Sequence, residues 1–148
     1  MSDGIQVEVD LSKLTKGFDK LGKAGELALK QAARAIGGEA VGYAKANCPV
    51  DTGLLRNSIT FAISGEEPDI KSYKADKGNG HGSYSGAMPK EKSGLAVYIG
   101  TNVKYAEKQE NGDYPHKTGS KHFLKKAATE HTDRYKKIIE SALAAAKP

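Results

Sequence analysis

The stretch from Cys48 to Ile59, CPVDTGLLRNSI, decides how the chain passes from a helix into a strand. Pro49 ends any preceding helix, because proline lacks a backbone N–H and disfavours helical geometry in the residue before it. In the turn that follows, Asp51 or Thr52 can supply a side-chain oxygen for capping, and Gly53 allows a tight approach. Leu55 and Ile59 then return the chain to the core, so the stretch predicts a compact connection between helix and strand.

Upstream of this connection, apolar residues at helical spacing predict a long helix from about Ala24 to Ala46. Alanine dominates its apolar face, which favours close packing over a wide groove. The pair Gly37-Gly38 inside the helix should cost about 1 kcal/mol per glycine relative to alanine. We therefore expect either a kink at this pair or another backbone packed closely against it.

Strands are predicted where apolar and polar residues alternate. Three segments show this pattern, at 5–9, 58–64 and 95–100. Between the first strand and the long helix, Asp10 or Ser12 can cap a short helix over about 14–21.

Residues 65–94 separate the last two strands, and they hold six glycines and two prolines without sustained periodicity. A compact domain seldom contains so long a structureless loop, so we expect either a protruding hairpin arm or a segment that orders on contact with a partner. Five acidic residues balance its five lysines, so its attraction to nucleic acid should nearly cancel. The part at 77–86, KGNGHGSYSG, lacks the flanking elements of a phosphate-binding loop and is interpreted as a flexible loop.

A single final helix is predicted from Ser120 to about Ala146, where apolar residues fall on one stripe and charged residues lie elsewhere. A polar segment at 113–119 precedes this helix. At 148 residues the chain has the usual size of one domain, so residues 1–148 are expected to form a single domain.

The charge of the chain is concentrated in its C-terminal part. The net charge of +5 divides into +1 for residues 1–100 (13 basic minus 12 acidic) and +4 for residues 101–148 (10 minus 6). Such a region could attract a polyanion, although a lysine-rich amphipathic helix is more often a solvated face. No apolar leader opens the sequence and no segment approaches the roughly 18 apolar residues of a membrane helix, so we expect a protein made in the cytoplasm without membrane contact.

No pattern of catalytic or metal-ligating residues is found in the sequence. The four histidines and the single cysteine lack the spacing of a zinc site, so no metal, cofactor or catalytic residue is predicted. Cys48 lies at a helix C-terminus, away from the positive helix end that lowers a thiol pKa, and is expected to be buried or half-buried. The remaining classes are a structural protein and a small basic nucleic-acid-binding module, and neither is an enzyme.

Two motifs resemble the hallmarks of one bacteriophage family. The string PVDTGLLRNSI at 49–59, after an alanine-rich helix, is similar to the first hallmark of the family typified by gene product ten of the lambdoid phage HK-ninety-seven, whose members are neck and tail-completion proteins. The second hallmark is a Tyr-Ala pair followed by Glu, then Gly two residues later, then Phe-Leu opening the last helix. The matching residues are Pro49, Asp51, Thr52, Gly53, Leu55, Arg56, Ser58, Ile59, Tyr105, Ala106, Glu110, Gly112, Phe123 and Leu124.

The resemblance extends over roughly residues 20–145 and has local departures. Asn111 stands where the family usually has an aromatic residue, and His122 and Lys126 replace prolines that often flank Phe-Leu. These departures concern the local turn geometry.

The resemblance implies an α+β subunit in which N-terminal helices and a long C-terminal helix pack on a small, mainly antiparallel sheet. It further implies a non-catalytic virion protein, assembled in the host cytoplasm into a ring, commonly a hexamer, around the DNA channel between head and tail. Its partners would be copies of itself and neighbouring neck and tail proteins, and the 65–94 segment would be an arm reaching one of them. Candidates for facing channel DNA or an acidic partner are Lys121, Lys125, Lys126, Arg134, Lys136 and Lys137.

Arg56 and Glu110 are charged residues inside motifs that otherwise consist of turn and core residues. We predict that they pair with each other or cap backbone groups near the helix-to-strand junction. Loss of one partner from a buried pair would then cost several kcal/mol.

Overall fold

The computed structural model describes residues 5–64, 66, 70–84, 95–112 and 119–146, which form a three-stranded sheet, a two-stranded hairpin and five α-helices. The strands are β1 (Ile5–Asp10), β2 (Thr60–Ile63), β3 (Lys71–Lys74), β4 (His81–Tyr84) and β5 (Ala96–Thr101). The helices are α1 (Gly22–Asn47), α2 (Leu54–Ser58), α3 (Ala106–Asn111), α4 (Phe123–Thr129) and α5 (Thr132–Ala146). The predicted α+β class is confirmed.

The main sheet has the strand order β1-β5-β2, and both pairings are antiparallel. The register places Val9 opposite Val97 and Phe61 opposite Ile99. Every residue of β5 is buried, as expected for a central strand that is covered on both faces. The three predicted strands are confirmed, with slightly different ends.

Helix α1 is the centre of the helical layer, because it packs on β2 and β5 of the sheet and on both α4 and α5. Its buried residues are mostly alanine and glycine, which lets these neighbours approach closely. They are Gly25, Ala32, Ala33, Ile36, Gly37, Ala40 and Ala44. The long helix predicted upstream of Pro49 is therefore confirmed, and it begins at Gly22.

Helix α1 runs without interruption through Gly37 and Gly38, so a kink at this pair is not observed. The ring of Phe61 lies against Gly37, where an added Cβ would collide with it, whereas Gly38 faces open space. The glycine at 37 therefore admits an aromatic side chain from β2, not the second backbone that we expected.

The single final helix predicted from Ser120 is wrong, because the chain forms two helices that meet at Glu130 and His131. The His131 ring stacks on Tyr43 of α1, with ring centroids 3.5 Å apart. The buried Tyr135 hydroxyl donates a hydrogen bond of 2.6 Å to the carbonyl of Ala127, back across the corner. This corner lets α4 pack against β1 while α5 follows α1, which one straight helix could not do.

Residues 71–84 of the predicted 65–94 loop form the antiparallel hairpin β3-β4. The flexible loop predicted at 77–86 is therefore wrong for residues 77–84. The hairpin packs beside α2 and does not protrude. Tyr73 donates a hydrogen bond of 2.6 Å to Asn102 at the end of β5, and Tyr84 donates one of 3.2 Å to Gln6 of β1. Residues 65, 67–69 and 85–94 of this segment, and 113–118 of the second polar segment, lie outside the described residues.

The short helix predicted over about 14–21 is replaced by two 3₁₀ turns, Ser12–Leu14 and Phe18–Leu21. Asp10 accepts a 2.9 Å hydrogen bond from the Ser12 amide at the first of them, so Asp10 acts as the predicted cap. Among the described helices, none combines the length and apolar composition that crossing a bilayer would require.

Candidate functional site

The first motif forms a tight turn between α1 and α2. Cys48 leaves α1 in an extended conformation, and Gly53 has a φ of 88°, in the left-handed region that glycine adopts most readily. Thr52, not Asp51, supplies the local cap, since its hydroxyl accepts a 3.3 Å hydrogen bond from the Leu54 amide. Leu55 and Ile59 are buried in the core, as the sequence predicts.

The turn of the β3-β4 hairpin docks on this first motif. The Thr52 carbonyl accepts hydrogen bonds from the amides of Asp76 and Lys77, at 2.8 and 3.0 Å. The Asp76 carboxylate bonds the Arg56 guanidinium and accepts a 3.0 Å hydrogen bond from Asn57. The hydrogen bond from Asn57 lowers the pKa of Asp76 below its usual range, and Arg56 acts in the same direction.

Glycine is required at position 53 for a second reason. The Asp76 carboxyl group lies so close to Gly53 that an added Cβ would collide with it. The Asp-Thr-Gly turn is therefore a docking site for the hairpin as well as a connection between two helices.

A buried hydroxyl pair joins the first motif to the end of the central strand. The Ser58 hydroxyl donates to the Leu55 carbonyl at 2.6 Å and shares a short hydrogen bond with the Thr101 hydroxyl. Thr101 in turn accepts a 3.1 Å hydrogen bond from the Val103 amide. Both hydroxyls are fully buried, so each satisfies the other in the core.

The second motif begins where this chain of hydrogen bonds ends. Ala106 is fully buried at the start of α3, and Tyr105 beside it remains 43% exposed. Tyr105 lies beside Thr52 and Leu55, and partial burial raises its pKa above the usual value. The two motifs are therefore in direct contact.

Glu110 is the charged centre of the second motif and is only 2% exposed. Its carboxylate accepts hydrogen bonds from the amides of Leu124 and Lys125, at 2.8 and 3.1 Å. These are two of the first amides of α4, which have no partner within that helix. A helix cap is usually the side chain of the residue preceding the helix, but here His122 holds that position and Glu110 of α3 provides the cap.

The backbone around His122 completes the cap. His122 has a φ of 61°, and its amide donates a 2.6 Å hydrogen bond to the carbonyl of Glu110. Gly112 closes α3 by donating from its amide to the Lys108 carbonyl at 2.8 Å. Phe123 and Leu124 then enter the core with no exposed surface.

Arg56 and Glu110 do not pair with each other. Arg56 pairs with Asp76, and Glu110 caps α4, so only the backbone-capping alternative describes Glu110. Both charges act electrostatically on the Cys48 thiol, which is 2% exposed. Burial raises the pKa of the Cys48 thiol from 9.0 to about 12, so the thiol is protonated at neutral pH and is a poor nucleophile.

The loop before α4 also returns to the first motif. The Ser120 amide donates a 2.9 Å hydrogen bond to the carbonyl of Asn47, the last residue of α1. Gly119 packs against the backbone of Asn47 and Pro49, where a side chain would collide. We call this meeting place of the two motifs, the hairpin turn and the start of α4 the motif junction.

The sequence analysis missed three residues of the motif junction. In the sequence, Asp76 belongs to a segment without periodicity, and its place before a glycine-rich turn is the only signal of a structural role. Asn57 is inside the first motif, but its side chain reaches out of the motif to the hairpin, where it also donates to the Lys74 carbonyl. Thr101 is a polar residue at the end of an apolar strand, which is a detectable signal for a buried hydrogen bond.

The six basic candidates of the C-terminal helices are in different environments. Arg134 donates to both carboxylate oxygens of Glu39 on α1, at 3.0 and 3.1 Å. Lys126 reaches the Ser120 hydroxyl at 3.3 Å, and Lys121 is half-buried and also engaged. Lys125, Lys136 and Lys137 are exposed, as is the paired Arg134.

The exposed face of α5 carries mixed charge. Lys136 and Lys137 are consecutive, so their side chains point about 100° apart around the helix axis. The helical repeat places Asp133 and Glu140 between them, and all four residues are exposed. This face therefore does not form a continuous basic track. In the described part of the chain, no group of three or more histidine, cysteine or acidic side chains is arranged to hold a metal ion.

These contacts define a class of protein: an α+β fold whose two sequence motifs lie against each other. A comparison with protein-family models matches residues 12–112 to the family described as "Bacteriophage HK97-gp10, putative tail-component". The chain belongs to this family, which gives it a structural role in a phage and a place in the virion. The matched range contains 49–59 and 105–112 and ends before Phe123. No curated protein and no solved structure matches the chain.

Proposed function

We propose that this protein is a ring-forming neck or tail-completion component that joins tail to head around the DNA channel. The observation that carries the proposal is the motif junction of a tail-component family member, in which the motif side chains bond to the hairpin and to backbone groups. Such residues fix the shape of a subunit, and a fixed shape suits a role in assembly. The proposed partners are further copies of the chain, in a ring that is hexameric in the virion, and neighbouring neck and tail proteins.

Exposed apolar side chains support contact with other proteins. Three large ones stand out on the described surface: Leu27 on α1 is 59% exposed, Ile70 before β3 is 75% exposed, and Tyr105 is 43% exposed. They lie on or beside different elements, and a ring subunit with a neighbour on each side needs more than one contact surface.

The charge distribution favours protein partners over DNA as the main contact. Arg134 is engaged with Glu39, and the two exposed lysines of α5 are interspersed with acids. We therefore expect contact with channel DNA to be weak and non-specific. A nucleic-acid-binding module, the alternative function, would show tight duplex binding that falls steeply with the logarithm of salt concentration.

The deciding experiment is electron microscopy of a lysate from a phage in which this gene carries an early stop codon. We expect heads and tails that fail to join or to mature, with complete particles restored by the wild-type gene in trans. Complete, infectious virions without complementation would contradict the proposal.

A binding experiment separates the two functional classes. Anisotropy of a labelled duplex should show weak association that does not depend on sequence. Native mass spectrometry of the purified protein, alone and with its neighbouring tail proteins, measures whether the ring forms by itself or on a template. Tight duplex binding without assembly in either mixture would favour the nucleic-acid-binding module.

A further inference from the structure

The dipeptide Asn-Gly occurs at two places in the chain. Asn79-Gly80 lies in the turn of the β3-β4 hairpin, and Asn111-Gly112 lies at the end of α3. Both asparagine side chains are exposed. In this dipeptide the backbone nitrogen that follows the asparagine can attack the asparagine side chain easily, because glycine has no Cβ to shield that nitrogen. The chain therefore offers the same chemistry in two different backbone environments.

The two glycine nitrogens differ in their hydrogen bonds. The Gly112 amide donates a 2.8 Å hydrogen bond to the Lys108 carbonyl and closes the last turn of α3. Among the residues that the structure describes, neither the Gly80 amide nor the Asn79 side chain has a hydrogen-bond partner. The Gly80 carbonyl accepts a 2.8 Å hydrogen bond from the Ala75 amide, which closes the hairpin turn. Attack by the Gly80 nitrogen thus breaks no hydrogen bond with a described residue, whereas attack by the Gly112 nitrogen must first break one.

We propose that Asn79 is a site of spontaneous deamidation, and that the isoaspartate product loosens the hairpin turn from the first motif. The Gly80 nitrogen forms a bond to the side-chain carbonyl carbon of Asn79. The bond from that carbon to the side-chain nitrogen breaks, and ammonia leaves with the proton that the Gly80 nitrogen loses. Water then opens the cyclic imide at one of its two carbonyls, which gives aspartate or isoaspartate. No atom is oxidised or reduced, and the reaction does not depend on the ring assembly proposed above.

Isoaspartate changes the length of the main chain as well as its charge. The main chain then runs through the former side chain, which adds one methylene group between residues 79 and 80. This addition falls inside the turn whose Asp76 and Lys77 amides donate to the Thr52 carbonyl, at 2.8 and 3.0 Å. The new carboxylate is exposed, so repulsion between it and Asp76 is weak. The longer main chain, more than the charge, should therefore loosen the turn.

The first test follows deamidation at both sites by mass-spectrometric peptide mapping of the full chain, incubated in mildly alkaline buffer. In the folded protein Asn79 should react about tenfold faster than Asn111, because its reaction spares a backbone hydrogen bond and the last turn of a helix. In urea, where both backbones are free, the two rates should converge. Asn79→Gln should abolish the reaction at position 79, since its longer side chain must close a larger ring. Equal rates in the folded protein, or faster reaction at Asn111, would overturn the site.

The second test measures hydrogen exchange in the isoaspartate form, which ion exchange separates from the unmodified protein by its added negative charge. Asn79→Asp is the matched control, because it has the same added charge and an unchanged main chain. The amides of Asp76 and Lys77 should exchange about three- to tenfold faster in the isoaspartate form than in Asn79→Asp, as expected for loss of one backbone hydrogen bond. Amides of β5 should exchange alike in both proteins. Equal exchange of Asp76 and Lys77 in the two proteins would refute loosening by the longer main chain.

Discussion

Replacing Glu110 should destabilise the protein more than replacing any other charged residue of the motif junction. Its carboxylate accepts two backbone hydrogen bonds, of 2.8 and 3.1 Å, in a site where the side chain is 2% exposed. Hydrogen bonds to a charged group contribute about 1.5–3 kcal/mol each. Removing the carboxylate also leaves the buried amide of Leu124 and the partly buried amide of Lys125 without this partner, and it removes a negative charge from the N-terminus of α4.

For Glu110→Ala we therefore expect a loss of about 3–5 kcal/mol, a large share of the roughly 5–15 kcal/mol that stabilises a typical domain. Glu110→Gln keeps one acceptor oxygen but turns its amino group toward the second amide, so about 2–3 kcal/mol should be lost. Glu107→Ala is the matched control, because Glu107 lies on the same helix and is exposed. It should change the free energy of unfolding by no more than about 0.5 kcal/mol.

Urea denaturation followed by circular dichroism measures these differences, and hydrogen exchange locates them. The amides of Leu124 and Lys125 should exchange faster in Glu110→Gln than in the wild type. The amides of β5 should lose protection only by as much as the free energy of global unfolding falls. If Glu110→Ala unfolds at the same urea concentration as Glu107→Ala, the carboxylate does not hold α4 and the account of the motif junction is wrong.

Three further substitutions test other contacts. Gly37→Ala should lose about 1–3 kcal/mol because its Cβ collides with the Phe61 ring, whereas Gly38→Ala, which faces open space, should gain about 0.5–1 kcal/mol; thermal melting that ranks the two alike would refute the packing argument. Arg56→Ala should cost only about 1 kcal/mol in urea denaturation, because Arg56 and its partner Asp76 are 36% and 53% exposed, and a loss of several kcal/mol would show that the pair is effectively buried. Cys48 should react with a thiol reagent only after unfolding; because its pKa is raised to about 12, its contribution to stability is complete below pH 9 and is lost as the pH rises toward 12, a loss that Cys48→Ala should not show.

Much of the fold could be predicted from local patterns in the sequence. The long helix ends at Asn47, just before Cys48 and Pro49, as proline chemistry requires, and the three alternating segments are the three strands of the sheet. The corner between α4 and α5 could not be predicted, because both helices keep their apolar residues on one stripe. The corner instead depends on the stacking of His131 on Tyr43, a contact between residues 88 positions apart (131 minus 43).

The hairpin was missed for a different physical reason. Its strands are short and polar, and Gly82 would weaken a strand in isolation. The ring of Tyr73 covers Gly82 from the paired strand, so close that a side chain at 82 would collide with it. This cross-strand contact, together with the Asp76 contacts to the first motif, stabilises a segment whose composition resembles a loop.

The motifs themselves were recognised as strings, but their partners could not be deduced from spacing. Arg56 and Glu110 are the charged residues of motifs that otherwise consist of turn and core residues, which made a mutual pair a reasonable expectation. The structure places a separate partner beside each: a carboxylate from the hairpin for Arg56 and two helix amides for Glu110. Both partners belong to other parts of the chain, so only the folded chain reveals them.

The use of directional contacts at the motif junction is consistent with the proposed assembly. Apolar burial stabilises a core but does not fix orientation, since it depends mainly on the area removed from water. The hydrogen bonds from the α4 amides to Glu110 fix α4 relative to α3, and those from the hairpin turn to Thr52 fix the hairpin relative to the turn after α1. A ring subunit must present the same surfaces in every copy. A rotation of a few degrees between these elements in each subunit would therefore add up around the ring. Glu110→Gln should therefore impair particle assembly at temperatures where the subunit is still folded, which separates its role in orientation from its role in stability.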